Sequence, residues 1–245
     1  MPLMLSLRER SSIPLEVDSV KLETVRGQSP DEVKATRIQR GNKQVTLGEF
    51  FDAAGSAADD DTLVWEGDCS KVKLIGAHLS GGTVRVEGHA GMHLGAEMTG
   101  GEIIVHGNAG DWVGAEMHGG RIHVHGSAGH LVGAVYRGGR KGMTAGEILI
   151  DGDAGNEIGH AMRRGLIAIG GRAGDAAGTA MIAGTIVIGG ETGIRYGPGM
   201  RRGSIILLRA NAPDMLPTFR LSGTYKPVIL RVLLRYLSEL DWSVP

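Results

Sequence analysis

An all-β fold, a right-handed parallel β-helix of about seven coils, is predicted by three observations. A glycine returns every 19 residues from Gly88 through Gly107 and Gly126 and, after one 7-residue insertion, through Gly152, Gly171 and Gly190. Two further glycine series, Gly91 to Gly193 and Gly95 to Gly197, keep the same phase. Each repeat opens on a short β-branched run, from Thr83-Val84-Arg85-Val86 to Ser204-Ile205-Ile206-Leu207. A period near 20 built from strand and glycine turn is the mark of a solenoid. Linker glycine would not hold phase with aliphatic pairs.

Taken in order, residues 1–62 carry no repeat and are expected to cap the first coil. Leu3-Met4-Leu5-Ser6-Leu7 alternates like a strand, and Thr46-Leu47-Gly48-Glu49-Phe50-Phe51 reads as a strand-to-helix transition ahead of an acidic turn, Asp59-Asp60-Asp61. Residues 63–208 form the β-helix, beginning with a degenerate coil around Val64 and Gly67. Within each later strand two positions, such as Val84 and Val86 or Ile186 and Ile188, are aliphatic and point inward. The residues between them, Arg85, Ile104, His123, Leu149, Ala168 and Val187, are mixed, as on an outer face half solvated and half covered. The glycines serve corners that need positive φ or close backbone approach. Residues 209–245 form a tail in which Pro213 and Pro217 break the chain. Val228 to Leu237 reads as a helix with a broad apolar face and Arg231 and Arg235 opposite. That helix is expected to close the open end of the sheet or to dock on another subunit.

Composition narrows the function classes. The chain has 245 residues with 41 glycines, 4% aromatic residues and a net charge of −1, which suits thin coils and argues against nucleic-acid binding. One cysteine, Cys69, excludes an internal disulfide framework and cysteine-based metal sites, and reads as a small buried hydrophobe. Arg8, Glu9 and Arg10 follow the first apolar stretch, and no apolar run of 18 residues occurs, so no secretory signal, no membrane span and a cytoplasmic location are expected.

Catalytic chemistry is scarce. His123-Val124-His125 is a His-x-His on one strand, and the column Glu87, His106, His125, Asp151 is a ladder that can bind a divalent cation. No further ligand completes it in the sequence, so no metal and no catalytic residue is assigned. His78, His89, His93, His118, His130 and His160 show no spacing. No nucleophile elbow, phosphate loop or dinucleotide fingerprint appears.

Arginine placement says more. Aligning the coils puts Met98, Met117, Tyr136, Met162, Met181 and Met200 in one column, with Thr99, His118, Arg137, Arg163, Ile182 and Arg201 beside it. Arg164 and Arg202 fall in the next column, so the pairs Arg163-Arg164 and Arg201-Arg202 stand two coils, roughly 10 Å, apart. The insertion adds Arg140 and Lys141, and Arg195 lies nearby in sequence. Together these eight make a cationic edge on a neutral protein, suited to carboxylates of a polyanionic ligand. Solvated surface or contacts to a partner would leave the same pattern.

The repeat Gly-x-x-Gly-x-x-x-Gly, as in Gly152-Asp153-Ala154-Gly155-Asn156-Glu157-Ile158-Gly159 and Gly171-Arg172-Ala173-Gly174-Asp175-Ala176-Ala177-Gly178, resembles the C-terminal β-helix domain of glutamate synthase. With the stretch Thr46 to Phe51 it resembles the C subunit of formylmethanofuran dehydrogenase more closely. That family has an archaeal tungsten or molybdenum dehydrogenase branch and a bacterial formyltransferase/hydrolase branch, and 7 lysines against 19 arginines favour the bacterial one. The resemblance implies a complex of four subunits in which one passes a formyl group from formyl-tetrahydromethanopterin to methylofuran and a metal-dependent, amidohydrolase-like subunit releases formate, with a further subunit beside them. This chain would be non-catalytic, bind no cofactor alone, hold the partners together and bind the carrier's polyglutamate tail. A self-sufficient β-helix lyase or hydrolase is disfavoured by the few aromatics and missing paired carboxylates. A glutamate-synthase-like structural domain is the other alternative.

Overall fold

The computed structural model describes residues 1–209 and 213–242. The chain opens on strand β1 (Leu3–Leu7), whose Leu3 and Leu5 are fully buried as the alternation predicts. Strand β2 (Leu15–Glu16) and two short helices, α1 (Leu22–Val25) and α2 (Pro30–Lys34), follow. The helices carry too few turns for a periodic signal, but α2 begins with a local one: Ser29 caps it, and the Glu32 carboxylate accepts back from the Ser29 N–H at 2.8 Å. Strands β3 (Arg37–Arg40) and β4 (Lys43–Thr46) pair as a hairpin. The expected helix after Thr46 is only a single 3-10 turn, Leu47–Glu49, before strand β5 (Phe51–Ala54). Phe51 ends the turn because its ring is drawn into the core, edge-on to Trp65 with centroids 5.2 Å apart.

Strand β6 (Thr62–Glu66) begins the stack and β7 (Val72–Lys73) joins β2 in a second, four-stranded sheet. The seven β-branched runs are β8 (Thr83–Val86), β9 (Glu102–Val105), β10 (Arg121–Val124), β11 (Glu147–Ile150), β12 (Leu166–Ile169), β13 (Thr185–Ile188) and β14 (Ser204–Leu207). With β6 they form eight parallel rungs of one 10-stranded sheet, and β1 and β5 extend its first end. Successive strands pair in the same register, Ile148 on Ile167 on Ile186 on Ile205. A second ladder of bridges runs through Cys69, Ala90, Ala109, Ala128, Ala154, Ala173 and Thr192 on the far side of the coil.

Each coil sends five side chains inward, for example Ile167, Ile169, Ala173, Ala177 and Met181, all fully buried. The methionine column corrects the sequence alignment at one rung. Met143, not Tyr136, lies between Met117 and Met162, its methyl beside Gly165 as that of Met117 lies beside Gly146. The insertion therefore loops out before Met143, leaving at Val135, whose N–H donates to the His160 carbonyl, and returning at Gly142, whose N–H donates to Ala161.

The glycines divide by mechanism. Gly178 has φ +73 and its absent side chain leaves room for Ile205, whereas Gly174 has no left-handed φ and is glycine because the backbone of Gly155 in the preceding coil stands against it. Non-glycine residues in the left-handed region also repeat by coil, as at His93, Trp112, Leu131, Glu157, Ala176 and Arg195. A single such residue is strained. Here the stack holds each one in place: the Trp112 N–H donates to the His130 carbonyl and that of Glu157 to Asp175.

Some of the histidines that show no spacing along the chain belong to two side-chain ladders at the turns. The Asn108 N–H donates to His89 Nδ1, Ser127 N–H to Asn108 Oδ1, and Asp153 N–H to Ser127 Oγ. In parallel, His130 N–H donates to Asp111 and Asn156 N–H to His130 Nδ1. These acceptors satisfy turn amides that no strand pairs.

Helix α3 (Val228–Glu239) lies against the outer face of the sheet rather than over its open end. Its Leu233, Leu234 and Leu237, with Leu240 and Trp242, cover Leu149, Ala168 and Val187, which are fully buried, while Arg85 near the first end stays exposed, so the outer face is half covered and half solvated as expected. Trp242 Nε1 donates to the Ile150 carbonyl at 3.2 Å and the Tyr236 hydroxyl to Glu147 at 2.7 Å. The stretch leading into the helix meets the last coil, where the Phe219 ring abuts Gly197 and the Tyr196 hydroxyl donates to the Pro213 carbonyl. Arg231 and Arg235 are exposed, but so are Val228, Ile229 and Val232, so the helix is apolar on two sides.

Candidate functional site

The cationic edge is built by coil stacking. The N–H of Arg163 donates to the Met143 carbonyl and that of Arg201 to Met181, with Ile182 on Met162 between them. Arg163, Arg164, Arg201 and Arg202 are all exposed, and two rungs separate the pairs, roughly 10 Å at the usual strand spacing. Thr144 and Ala145 hold the positions that the repeat alignment gives to Arg137 and Gly138, since Thr144 N–H donates to Met117. Counting back 19 residues from Met162 finds Met143, the signal that places the insertion correctly. Arg137, Arg140 and Lys141 are exposed on the looped-out insertion, which returns to the stack beside Ala161, two residues before Arg163 in the chain. Arg195 stands apart, in the left-handed column over Ala176. Among the described residues none of the eight is in an ion pair.

The foot of the insertion carries a feature with no signal in the repeat. Tyr136 swings out to stack on Trp112 at 5.0 Å, and its hydroxyl meets His93 Nδ1 at 2.9 Å. Burial pushes the Tyr136 phenol up to about 12, with the Glu97 and Glu116 charges adding to it. Burial also lowers the His93 imidazole. Trp112, Tyr136, Arg137, Glu157 and His160 border a cleft of about 490 Å³.

The histidine ladder is real: the His106 and His125 rings stack at 5.4 Å and Glu87 lies 3.5 Å from His106 Nε2. It is also more complete than the sequence suggests. Asp151 accepts from His125 Nδ1 at 2.8 Å and from the buried His123 Nε2 at 2.9 Å, so a third ligand-type group does join the His-x-His pair. Burial works to raise the Asp151 carboxyl, but the hydrogen bonds from both histidines and their charge outweigh it and hold it below the usual carboxylate range.

Cys69 takes a rung of the alanine ladder, fully buried, its thiol pushed up to about 12 by burial and by the neighbouring Asp68 charge. Native protein at pH 8 is expected to give no rapid reaction with a disulfide thiol reagent and one equivalent after denaturation. Stoichiometric labelling of the native chain would contradict that burial.

Fold and edge together define a parallel β-helix of repeated glycine corners, and residues 71–215 match the GXGXG motif family. The chain belongs to that family. It is 38% identical over 95 residues to the C subunit of the tungsten-containing formylmethanofuran dehydrogenase 2 of Methanothermobacter wolfeii, covering 38% of this chain and 35% of that protein. It is 40% identical over 82 residues to the C subunit of the molybdenum-containing formylmethanofuran dehydrogenase 1 of Methanothermobacter marburgensis, 34% of this chain and 20% of that one. The match thus spans about a third or less of these curated relatives. A chain of the crystal structure of the formyltransferase/hydrolase complex FhcABCD from Methylorubrum extorquens, in complex with methylofuran, superimposes with a TM-score of 0.90 at 35% identity, covering 98% of this chain and 88% of that one. Among the described residues no helix is long and apolar enough to cross a membrane.

Proposed function

We propose that this chain is the non-catalytic structural and carrier-binding subunit of a cytoplasmic formyltransferase/hydrolase complex that converts formyl-tetrahydromethanopterin to formate by way of formyl-methylofuran. It holds a formyltransferase subunit, a metal-dependent amidohydrolase-like subunit and a further subunit together, and its arginine edge receives the polyglutamate tail of the methylofuran carrier. The observation that carries this reading is the spacing of exposed cations along one corner of the stack, Arg163-Arg164 two coils from Arg201-Arg202, with Arg137, Arg140 and Lys141 exposed on the insertion. Such an array meets several carboxylates of an extended polyanion at once. The whole-chain likeness to a chain of a complex containing methylofuran supports the same reading.

The similarity to dehydrogenase subunits favours a second reading, the C subunit of a tungsten or molybdenum formylmethanofuran dehydrogenase. Isolation of the native complex decides between them. The first reading expects three companions and no tungsten or molybdenum, and the second expects a companion that holds one of those metals. The isolated chain is expected to show neither formyl transfer nor formyl hydrolysis, and turnover surviving removal of every partner would overturn the non-catalytic role.

A further inference from the structure

We propose that His123, His125 and Asp151 form a binding site for one divalent transition-metal ion on the outer face of the sheet. His123 and His125 stand two residues apart at the end of β10, so both side chains leave the same face. Parallel pairing of β10 with β11 then brings Asp151 level with His125, and the Asp151 N–H donates to the Val124 carbonyl at 3.0 Å. The donor atoms His123 Nε2, His125 Nδ1 and an Asp151 oxygen all lie within 4.8 Å of one another. Tetrahedral ligands on metal bonds of about 2.0–2.1 Å are about 3.3 Å apart, so donors already within 4.8 Å of one another have only a short way to close.

Two features favour a cation over a purely hydrogen-bonded trio. His123 is 6% exposed and is one of only two buried polar side chains among the described residues, an expensive place for an imidazole that shares its one carboxylate partner with His125. His125 is also in ring contact with His123, centroids 4.3 Å apart, so two imidazoles and one carboxylate converge on one point, a donor set that suits a single dication. His106, stacked on His125 and facing Glu87, buttresses the ring from the preceding rung. Imidazole with carboxylate selects zinc, cobalt, nickel or copper rather than magnesium or calcium. Three protein ligands leave a further position, on the side where His125 and Asp151 reach solvent, for water.

The test uses the untagged full chain, stripped with a chelator and dialysed against zinc chloride, with metal content read by mass spectrometry and cobalt substitution read by visible absorption. About one zinc per chain is expected, with tetrahedral-type cobalt bands. Asp151→Asn and His125→Ala, at partly exposed positions, should each weaken binding by about 10-fold or more, as should His123→Ala. His78→Ala, outside the cluster, should bind like wild type. Circular dichroism confirms that each variant is folded, and should His123→Ala fail to fold, the other two still decide. The proposal is overturned if wild type retains less than about a tenth of an equivalent, or if Asp151→Asn and His125→Ala bind zinc as wild type does.

Discussion

Gly174→Val is expected to unfold the solenoid or lower its thermal midpoint severely, with Gly155→Val behaving alike. At Gly174 a Cβ would meet the Gly155 carbonyl group at 2.8 Å and the Asn156 side chain closer still. At Gly155 it would stand 2.9 Å from the backbone of Gly129 and His130. Neither residue has a left-handed φ, so the penalty is not strain within the residue but the separation of two coils. Moving one coil away breaks the N–H bonds that Gly174 sends to the carbonyls of Ala154 and Gly155, and the strand ladders on either side must follow. A cost of about 4–5 kcal/mol, at the severe end of single substitutions, is comparable to much of the stability of a typical domain. Because each coil is supported only by its neighbours, such a breach cannot be absorbed elsewhere. Gly81→Ala is the control, since nothing lies within 4 Å of a Cβ there and its φ is not left-handed. Thermal melts of the three variants check this, and Gly155→Val and Gly174→Val melting like wild type would remove the close-approach argument.

The second large effect is expected from reversing four charges at once. Arg163→Glu, Arg164→Glu, Arg201→Glu and Arg202→Glu combined should raise the apparent KM for a polyglutamylated carrier by about 10-fold or more at low salt, with assembly of the complex unchanged. Each exposed pair contributes only about 0.2–1 kcal/mol, so single substitutions should be mild and the losses should accumulate. The difference should fade as ionic strength rises, because solvent-exposed charges are screened within about 10 Å at 0.1 M salt. A carrier lacking the tail is the control and should show no difference between wild type and variant. Equal KM values for the full-length carrier at low salt would reassign these arginines to contacts with partner subunits or to solvated surface. Arg195→Glu makes a useful comparison: it lies in another column, and its effect should be small beside that of the quadruple variant.

Much of this architecture is legible in the sequence. The strands β8 to β14, their register and their inward aliphatic pairs follow from a 19-residue period, because in a parallel stack the neighbour in space is the residue one period away. The arginine pairs at 163–164 and 201–202 are legible for the same reason. The period fails where it is interrupted. Counted forward from Met117 it reaches Tyr136, which resembles a methionine only in bulk, while the fold puts Met143 in the core and sends Tyr136 out to Trp112 and His93.

By itself, then, the sequence determined the repeat, the two aliphatic columns and the presence of a cationic edge, since each depends on spacing along the chain and a strand pitch common to all β-structure. The tertiary structure alone decided three things. It chose the face that α3 covers, which depends on Leu237 and Trp242 fitting over Leu149, Ala168 and Val187, a match of shapes with no period. It chose where the insertion leaves the coil, a balance between burying Met143 and stacking Tyr136. And it turned Asp151 toward both His123 and His125, because a carboxylate's orientation is settled by which donors the neighbouring rung presents to it, and spacing records only that they are near.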